Sequence, residues 1–543
     1  VKIVIIGGVA TGMSAATRAR RLDEHAEITV YEKSQNVSYA NCGLPYYLSG
    51  VIEHRSSLLL QTPASLNSRF NLDVKVSHEV TEILPESKQV VVRNLTTGEL
   101  FSDNYDYLVI ATGAKPRSFD ISGFDRALHL RNVEDIDSLK LATDMATSKT
   151  AVILGAGFIG IETAENLHKA GFSVSVLTPG SQILSAFDPE MIEPFQARLI
   201  ASDIQIHFGV TAAEIKGDVV VLTNGTILPA GVVINAAGIT PDTSLAKAAN
   251  LRVGANGGIW VDAQQRTSDP HIFAGGDAAL KTSALHDEET LIPLANLANR
   301  HGRAIADSIF GLDTTASKAI GTAIIGAFGY TCAMTGLTEK TAKDFSVIHL
   351  HPSNHAGYYP DAKPISLKVL FDSNTGVLLG AQGVGEDGVD KRVDVLATAI
   401  KANLTINDLM DLELSYAPQY GSAKDAINQA GYVGNNVITG RTPTIQWHEL
   451  DDYLHAGWVL VDVRSQSEHN HGAIPNSLNI SVDNLRDHIP ELTNKRVIAH
   501  CQVGQRGHTA TQILKGHGIE VRNLDGGYKT WRSGMDSRKR KEG

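Results

Sequence analysis

The chain has 543 residues, more than one hydrophobic core organises, and domains of roughly 100–200 residues divide it into about three to five units. Hydrophobic residues at 43% and charged residues at 20% are ordinary for a globular protein, and 49 glycines signal many tight turns and close approaches of backbone to ligand. The net charge of −11 excludes a broad basic surface for nucleic acid, and the one basic run, Arg538-Lys539-Arg540-Lys541, reads as a solvated tail.

The chain opens with the apolar stretch VKIVIIGGVATGM. It lacks a basic leader and a small-residue cleavage site, and glycines interrupt it, so it reads as a buried strand and turn, not as a signal peptide. No apolar run approaches the ~18–20 residues of a bilayer span. The three cysteines, Cys42, Cys332 and Cys501, are too few for a secreted disulfide framework. A cytoplasmic protein with no membrane and no nucleic-acid partner is the expectation, and no metal site is predicted.

Lys2–Ile6 predicts a strand running into Gly7-Gly8-Val9-Ala10-Thr11-Gly12, followed by a helix over 13–22 and a strand over 28–31. Glycines there let the backbone approach a pyrophosphate seated on a helix N-terminus, and an acid at the end of the second strand binds the adenosine ribose. Glu32, 20 residues past Gly12, fills that role. Val9 stands where the fingerprint has its middle glycine, with Gly8 beside it to keep the turn open. Thr150–Leu154 repeats the pattern into Gly155-Ala156-Gly157-Phe158-Ile159-Gly160, a helix to Lys169 and a strand over 173–177. Two such units imply two dinucleotides. After the second strand stands Thr178, with neither an acid to read a 2′-hydroxyl nor a close Arg to grip a 2′-phosphate. NADH and NADPH both stay open, with a lean to NADH.

Residues 267–277 (TSDPHIFAGGD) predict a strand ending in a glycine turn with an acid, Asp277. Strands over 366–371 and 377–382 mix with helices in the region 321–434, and 434–444 predict a loop. Beyond it a compact α/β pattern follows, with strands over 459–463 and Val497–His500 and a helix from about Gly507.

Cys42 lies in Ser38-Tyr39-Ala40-Asn41-Cys42-Gly43-Leu44-Pro45-Tyr46-Tyr47 with no cysteine nearby. A redox cysteine without a resolving partner cycles through a sulfenic acid or a mixed disulfide with an exogenous thiol. Cys501 sits in His500-Cys501-Gln502-Val503-Gly504-Gln505-Arg506-Gly507, between strand and helix. Loop N–H groups, the helix dipole and Arg506 favour a thiolate there, and later a persulfide. Four residues separate Cys501 from Arg506, a cradle sized for one sulfur atom.

Residues 1–440 resemble the two-dinucleotide flavoprotein disulfide reductases. The resemblance implies FAD on Gly7, Gly8, Gly12 and Glu32, closed by Ala111-Thr112-Gly113 and by Asp277 at the ribityl chain. It implies NADH or NADPH on Gly155, Gly157, Gly160, Glu162 and Thr178. The Cys42 segment resembles the coenzyme A disulfide reductases, in which two tyrosines of the dimer partner reach the sulfur. That role carries to Tyr358 and Tyr416, with Tyr359 and Tyr420 as neighbours. Arg18 and Arg21, one helical turn apart, with Ser38 and Asn41, are carried to contacts with coenzyme A. Related NADH oxidases and peroxidases place a His where this chain has Ala10. With Asp462-Val463-Arg464, His471-Gly472-Ala473-Ile474-Pro475 and Asp525-Gly526-Gly527-Tyr528, residues 445–535 resemble a rhodanese, with Cys501 and Arg506 catalytic.

The expected fold is α/β: two Rossmann-like dinucleotide domains, an α+β dimerisation domain and a C-terminal α/β rhodanese domain. The expected boundaries are FAD domain 1–113 and 266–320, connection 114–148, NAD(P)H domain 149–265, dimerisation domain 321–434, linker 435–444 and rhodanese 445–543. The expected activity is NAD(P)H-dependent reduction of thiol disulfides, persulfides or polysulfides by a homodimer, using FAD and a Cys42 mixed disulfide with coenzyme A. The rivals are an NADH oxidase or peroxidase with an accessory rhodanese and a non-catalytic redox-sensing scaffold. Cys332 receives no role.

Overall fold

A computed structural model describes residues 1–286 and 288–542. Position 287, within the expected second FAD segment, and position 543, the end of the expected rhodanese, lie outside the described residues. The chain forms two compact units, one of residues 1–179 and 203–321, the other of 180–202 and the chain from 322 onward.

In the first unit, alternate residues of Lys2–Ile6 are buried on opposite faces of one sheet. Ile3 and Ile5 join a core with the helices Ala10–Leu22 and Ala295–Ile309, while Val4 and Ile6 join another with Leu108, Ile110 and Ile272. Burial on both faces is what the unbroken apolar run demands of a parallel strand. The sheet is parallel throughout, in the order Ile272–Ala274, Tyr107–Ile110, Lys2–Ile6, Glu27–Glu32, Asp73–Val76. A second parallel sheet has the order Gln205–Phe208, Ser173–Thr178, Thr150–Leu154, Val232–Asn235. Parallel strands put all their carboxyl ends at one edge, where an α/β fold binds its ligands.

In the second unit a five-stranded antiparallel sheet runs Ala323–Ala327, Tyr330–Gly336, Leu378–Gly385, Ile365–Asp372, Phe345–Leu350. Helix Val389–Lys401 packs on its middle strands. A separate five-stranded parallel sheet, with Val497–His500 at its centre, carries the C-terminal region.

One expectation needs correction. Residues 434–438 are not loop, because helix Ala426–Ile438 runs through them. The sequence reads Gly434 as a loop residue, but a Cβ there would lie 2.1 Å from Ile406, and one on Gly431 in the same helix 2.6 Å from the backbone of Met410. These glycines permit close packing, not a turn. Residues 180–202, placed by the sequence in the NAD(P)H domain, belong to the second unit. Helix Pro189–Ala201 carries Glu190 and Glu193, whose partners Lys368, His349 and Arg540 are all in that unit.

Candidate active sites

The first glycine turn is built by close approach. Gly7 has φ +103°, and a Cβ there would lie 2.3 Å from the carbonyl oxygen of Ala111; a Cβ on Gly12 would lie 1.9 Å from that of Gly7. Only glycine allows both. The N–H of Gly8 donates to Glu32 Oε2 at 2.7 Å, and Ser34 N–H donates to Oε1 at 2.8 Å. Burial pushes the Glu32 carboxyl up, and the two backbone donors oppose that shift. Ser38, with φ 49°, donates its N–H to the Gly8 carbonyl at 2.8 Å. Ala111 N–H donates to Ile6 at 2.8 Å, and Thr112 Oγ1 donates to the Asp242 carbonyl at 2.6 Å. Gly113 has φ +68°. Asp277 stands in the short turn Gly276–Ala278, beside the same sheet edge.

Two cations here escaped the sequence reading. Lys281 is buried, donates to the carbonyls of Gly276 at 2.5 Å and Ala279 at 2.9 Å, and is driven down to about 8 by burial. Arg131 donates to the Thr112 carbonyl at 3.1 Å, and its charge favours the ionised forms of both Glu32 and Asp277. The only signal for Lys281 is its spacing four residues after Asp277. Arg131 is hidden just ahead of a capping box, Asn132 with Asp135, which reads simply as a helix start. A glycine cradle at a helix start, an acid at the ribose end and two cations fit a flavin dinucleotide.

The second turn repeats the construction. Gly155 has φ +107°, a Cβ on it would lie 2.4 Å from the Ala236 carbonyl oxygen, and one on Gly160 would lie 2.1 Å from that of Gly155. Gly157 caps helix Phe158–Lys169 and has open space where its Cβ would be, as a pyrophosphate over the helix N-terminus requires. Thr178 ends its strand and is buried, its carbonyl accepting the N–H of Val210 at 3.2 Å. Thr178→Glu is expected to move the NADH/NADPH ratio of kcat/KM towards NADH by about tenfold or more, the worth of one charged hydrogen bond to a 2′-hydroxyl. Paired steady-state kinetics with both cofactors check this, and an unchanged ratio would mean that Thr178 is not at the ribose.

Cys42 is exposed, on the single turn Asn41–Gly43 that precedes helix Leu44–Leu48. Helix Phe158–Lys169 lies against this segment: Tyr46 Oη reaches Glu162 Oε1 at 3.5 Å and Ser49 Oγ donates to Asn166 at 2.5 Å. Desolvation by the surrounding chain, then the carboxylates of Glu162 and Asp277, push the Cys42 thiol up. The sulfur thus feels one acid from each dinucleotide fold. A thiolate of raised pKa is scarcer at neutral pH but more nucleophilic. Asn41 Nδ2 donates to the Arg131 carbonyl at 3.3 Å, tying the cysteine turn to the flavin cradle. Arg18 is ion-paired with Asp307 at 2.5 Å, and Arg21 lies 5.0 Å from the ring centre of Phe70. Cys332 is fully buried in strand Tyr330–Gly336, with its thiol pushed well up, as befits a core residue.

In the second unit the two selected tyrosines meet. Tyr358 and Tyr416 are exposed and their hydroxyls lie 3.1 Å apart, joined although 58 residues separate them. The N–H of Ala356 donates to the Pro418 carbonyl at 3.2 Å and locks the two loops together. Tyr359 instead packs edge-on against His355.

Cys501 is fully buried at the end of strand Val497–His500, and its Sγ accepts the N–H of Gly504 at 3.2 Å. Gly504, with φ +96°, caps helix Gln505–Gly516, which starts two residues before the expected Gly507. Gly527 must be glycine, since its Cβ would lie 2.4 Å from the Cys501 carbonyl oxygen. The N–H groups of Tyr528 and Lys529 hold the carbonyls of Cys501 and Gln502 at 2.8 and 3.0 Å. Arg506 is less free than the sequence implies, because Glu468 grips it with two bonds of 2.6 and 2.7 Å. That pair holds the Glu468 carboxyl down at about 2. Glu468 advertises itself only as the end of a capping box begun by Ser465, so its second partner, 38 residues on, was not legible. Arg464 is buried in a fork with Asp462 and also donates to Gln502 at 3.0 Å.

A buried charge cluster was not anticipated. Lys368 Nζ contacts Asp188 at 2.8 Å and Glu190 and Glu339 at 2.5 Å each. His349 bridges Glu190 at 3.1 Å and Asp525 at 2.7 Å. Burial alone would lower this imidazole, but its two carboxylate hydrogen bonds raise it to about 9. Glu190, Glu339 and His349 are close enough to share a metal ion, yet the Lys368 ammonium already bonds both acids.

Two dinucleotide cradles facing a single exposed cysteine define a flavin-dependent disulfide oxidoreductase, and sequence comparison agrees. The pyridine nucleotide-disulphide oxidoreductase model matches residues 1–302, its dimerisation domain 323–426 and the rhodanese-like domain 446–534. The chain belongs to the pyridine nucleotide-disulphide oxidoreductase family and is a flavoprotein disulfide/persulfide reductase with a C-terminal rhodanese domain. It is 34% identical over 434 residues to the coenzyme A disulfide reductase of Staphylococcus haemolyticus, covering 79% of this chain and 98% of that protein. Reduced CoADR-RHD of Bacillus anthracis superimposes with a TM-score of 0.97 at 43% identity, over 99% of this chain and 98% of that one. An NAD-dependent persulfide reductase from A. fulgidus gives 0.91 at 34% identity, over 98% and 100%. The family binds FAD and a nicotinamide cofactor. No helix among the described residues is long and apolar enough to cross a membrane.

Proposed function

We propose that the protein reduces coenzyme A disulfide, coenzyme A persulfide or polysulfide through a single redox cysteine, Cys42, with Cys501 handling sulfane sulfur. The observation that carries the reading is Cys42 itself, an exposed thiol between Glu162 of one dinucleotide fold and Asp277 of the other, while Cys332 and Cys501 are buried. Bound FAD supplies two-electron transfer from the nicotinamide cofactor to sulfur. The Cys42 thiolate attacks the sulfur attached to coenzyme A, forming a Cys42–coenzyme A mixed disulfide and expelling the other half as a thiolate, or as hydrosulfide from a persulfide. Two electrons and a proton then return coenzyme A thiol and the Cys42 thiolate.

Tyr358 and Tyr416, whose hydroxyls already bond each other, donate to the departing thiolate from the partner protomer of a homodimer. Ser38 and Asn41 flank the entry of the coenzyme, and Arg18 and Arg21 meet its phosphates, Arg18 by sharing the charge it gives Asp307. Cys501 takes up or delivers a sulfur atom as a persulfide in the Gly504–Arg506 cradle. Sustained NAD(P)H oxidation with coenzyme A persulfide in the absence of oxygen is the expected result. Turnover with oxygen or peroxide and none with persulfide would make the protein an oxidase or peroxidase instead.

A further inference from the structure

Beside the Cys501 loop lies a cavity of about 360 Å³, bordered by Gln502, Tyr528, Lys529 and Arg532 on one side and by Glu193 and Pro194 of helix Pro189–Ala201 on the other. We propose that this cavity is the binding site for the anionic sulfur donor of the Cys501 centre, thiosulfate or a persulfide anion, with Lys529 as its cation; the choice of donor rests on the sulfurtransferase reading of Cys501.

Charge arithmetic around the cavity points to an anion. Glu193 is bonded by Arg540 and by Gln196 at 3.0 Å. Asp536 faces Arg532 at 3.8 Å and Lys539 at 4.0 Å. Each acid therefore has a base of its own. Lys529 is different: among the described residues no carboxylate pairs with it, although it is half-buried, and that burial lowers its pKa. The nearby imidazole of His351 is held neutral, by burial first and then by the charges of Lys529 and His349. A half-buried ammonium with no counter-charge is stabilised by an anion brought from outside.

Position links that anion to sulfur chemistry. Lys529 stands in the first turn of the 16-residue helix Gly527–Glu542, where the dipole adds to its charge. Its own N–H holds the carbonyl of Gln502, the residue after Cys501, at 3.0 Å, and the preceding N–H holds that of Cys501. An anion on Lys529 is thus anchored on the backbone that carries the sulfur.

The test is equilibrium binding of thiosulfate to the full-length FAD-loaded protein carrying Cys501→Ser, which binds without reacting, alone and combined with Lys529→Met or Lys529→Arg. Lys529→Met is expected to weaken binding by about tenfold or more, the loss of one charge-assisted hydrogen bond, and Lys529→Arg to keep it within a few-fold. Equal binding by the Met variant, equal loss in the Arg variant, or no thiosulfate binding at all would overturn the proposal. Binding through Lys529 in a protein whose unaltered form makes no persulfide on Cys501 would uphold the site and overturn only the sulfurtransferase reading.

Discussion

Cys42→Ser is expected to leave FAD bound and to abolish NAD(P)H-linked reduction of coenzyme A disulfide and persulfide, a loss on the order of a thousandfold or more. Serine keeps the size of the side chain on the exposed turn Asn41–Gly43, so the first glycine turn, Gly7, Gly8 and Gly12 with Glu32, is not disturbed. What disappears is the sulfur that forms the mixed disulfide. No second thiol can stand in for it, because Cys332 is sealed in a strand and Cys501 is buried in its own loop. Flavin absorbance and steady-state kinetics on the same preparation separate the two effects. Retained turnover with either substrate would remove Cys42 from the mechanism.

Cys501→Ser is expected to abolish thiosulfate:cyanide sulfurtransferase activity, again by on the order of a thousandfold or more, while sparing reduction of free coenzyme A persulfide and disulfide. The hydroxyl can accept the Gly504 N–H that the sulfur now accepts at 3.2 Å, so the loop keeps its shape, but it cannot carry a persulfide. On the proposed reading small accessible persulfides meet Cys42 directly, and turnover of bulkier polysulfide or protein-bound sulfur, delivered by way of Cys501, is expected to fall sharply. Paired kinetics on small and large donors decide the matter. Equal loss on both would route every substrate through Cys501, and no loss on either would exclude that domain from the reductase cycle.

The parts of this architecture that were legible in the sequence are those fixed by local physics. Gly7 and Gly155 sit at left-handed φ values that almost only glycine adopts, so each glycine fingerprint could be placed to the residue. Apolar runs such as Lys2–Ile6 and Thr150–Leu154 are strands because burial on both faces leaves no polar position. Tyr358 and Tyr416 were brought together by resemblance alone, since no periodicity links positions in two distant loops. Illegible were the long-range charge partners. Glu468 for Arg506, Arg131 acting on Glu32 and Asp277, and the cluster of Lys368 and His349 depend on which strands become neighbours, and local pattern carries no trace of that. Gly434 of helix Ala426–Ile438 misled for the same reason: close packing and tight turning both select glycine, and only the fold tells them apart.

The most direct test of the Cys42 cycle is the mass of the thiol that a reductant releases from the purified, oxidised protein. The account predicts coenzyme A, in near-equal amount to the protein, released from the unaltered chain and from Cys501→Ser but not from Cys42→Ser. Release of no thiol, with Cys42 found as a sulfenic acid, would contradict it.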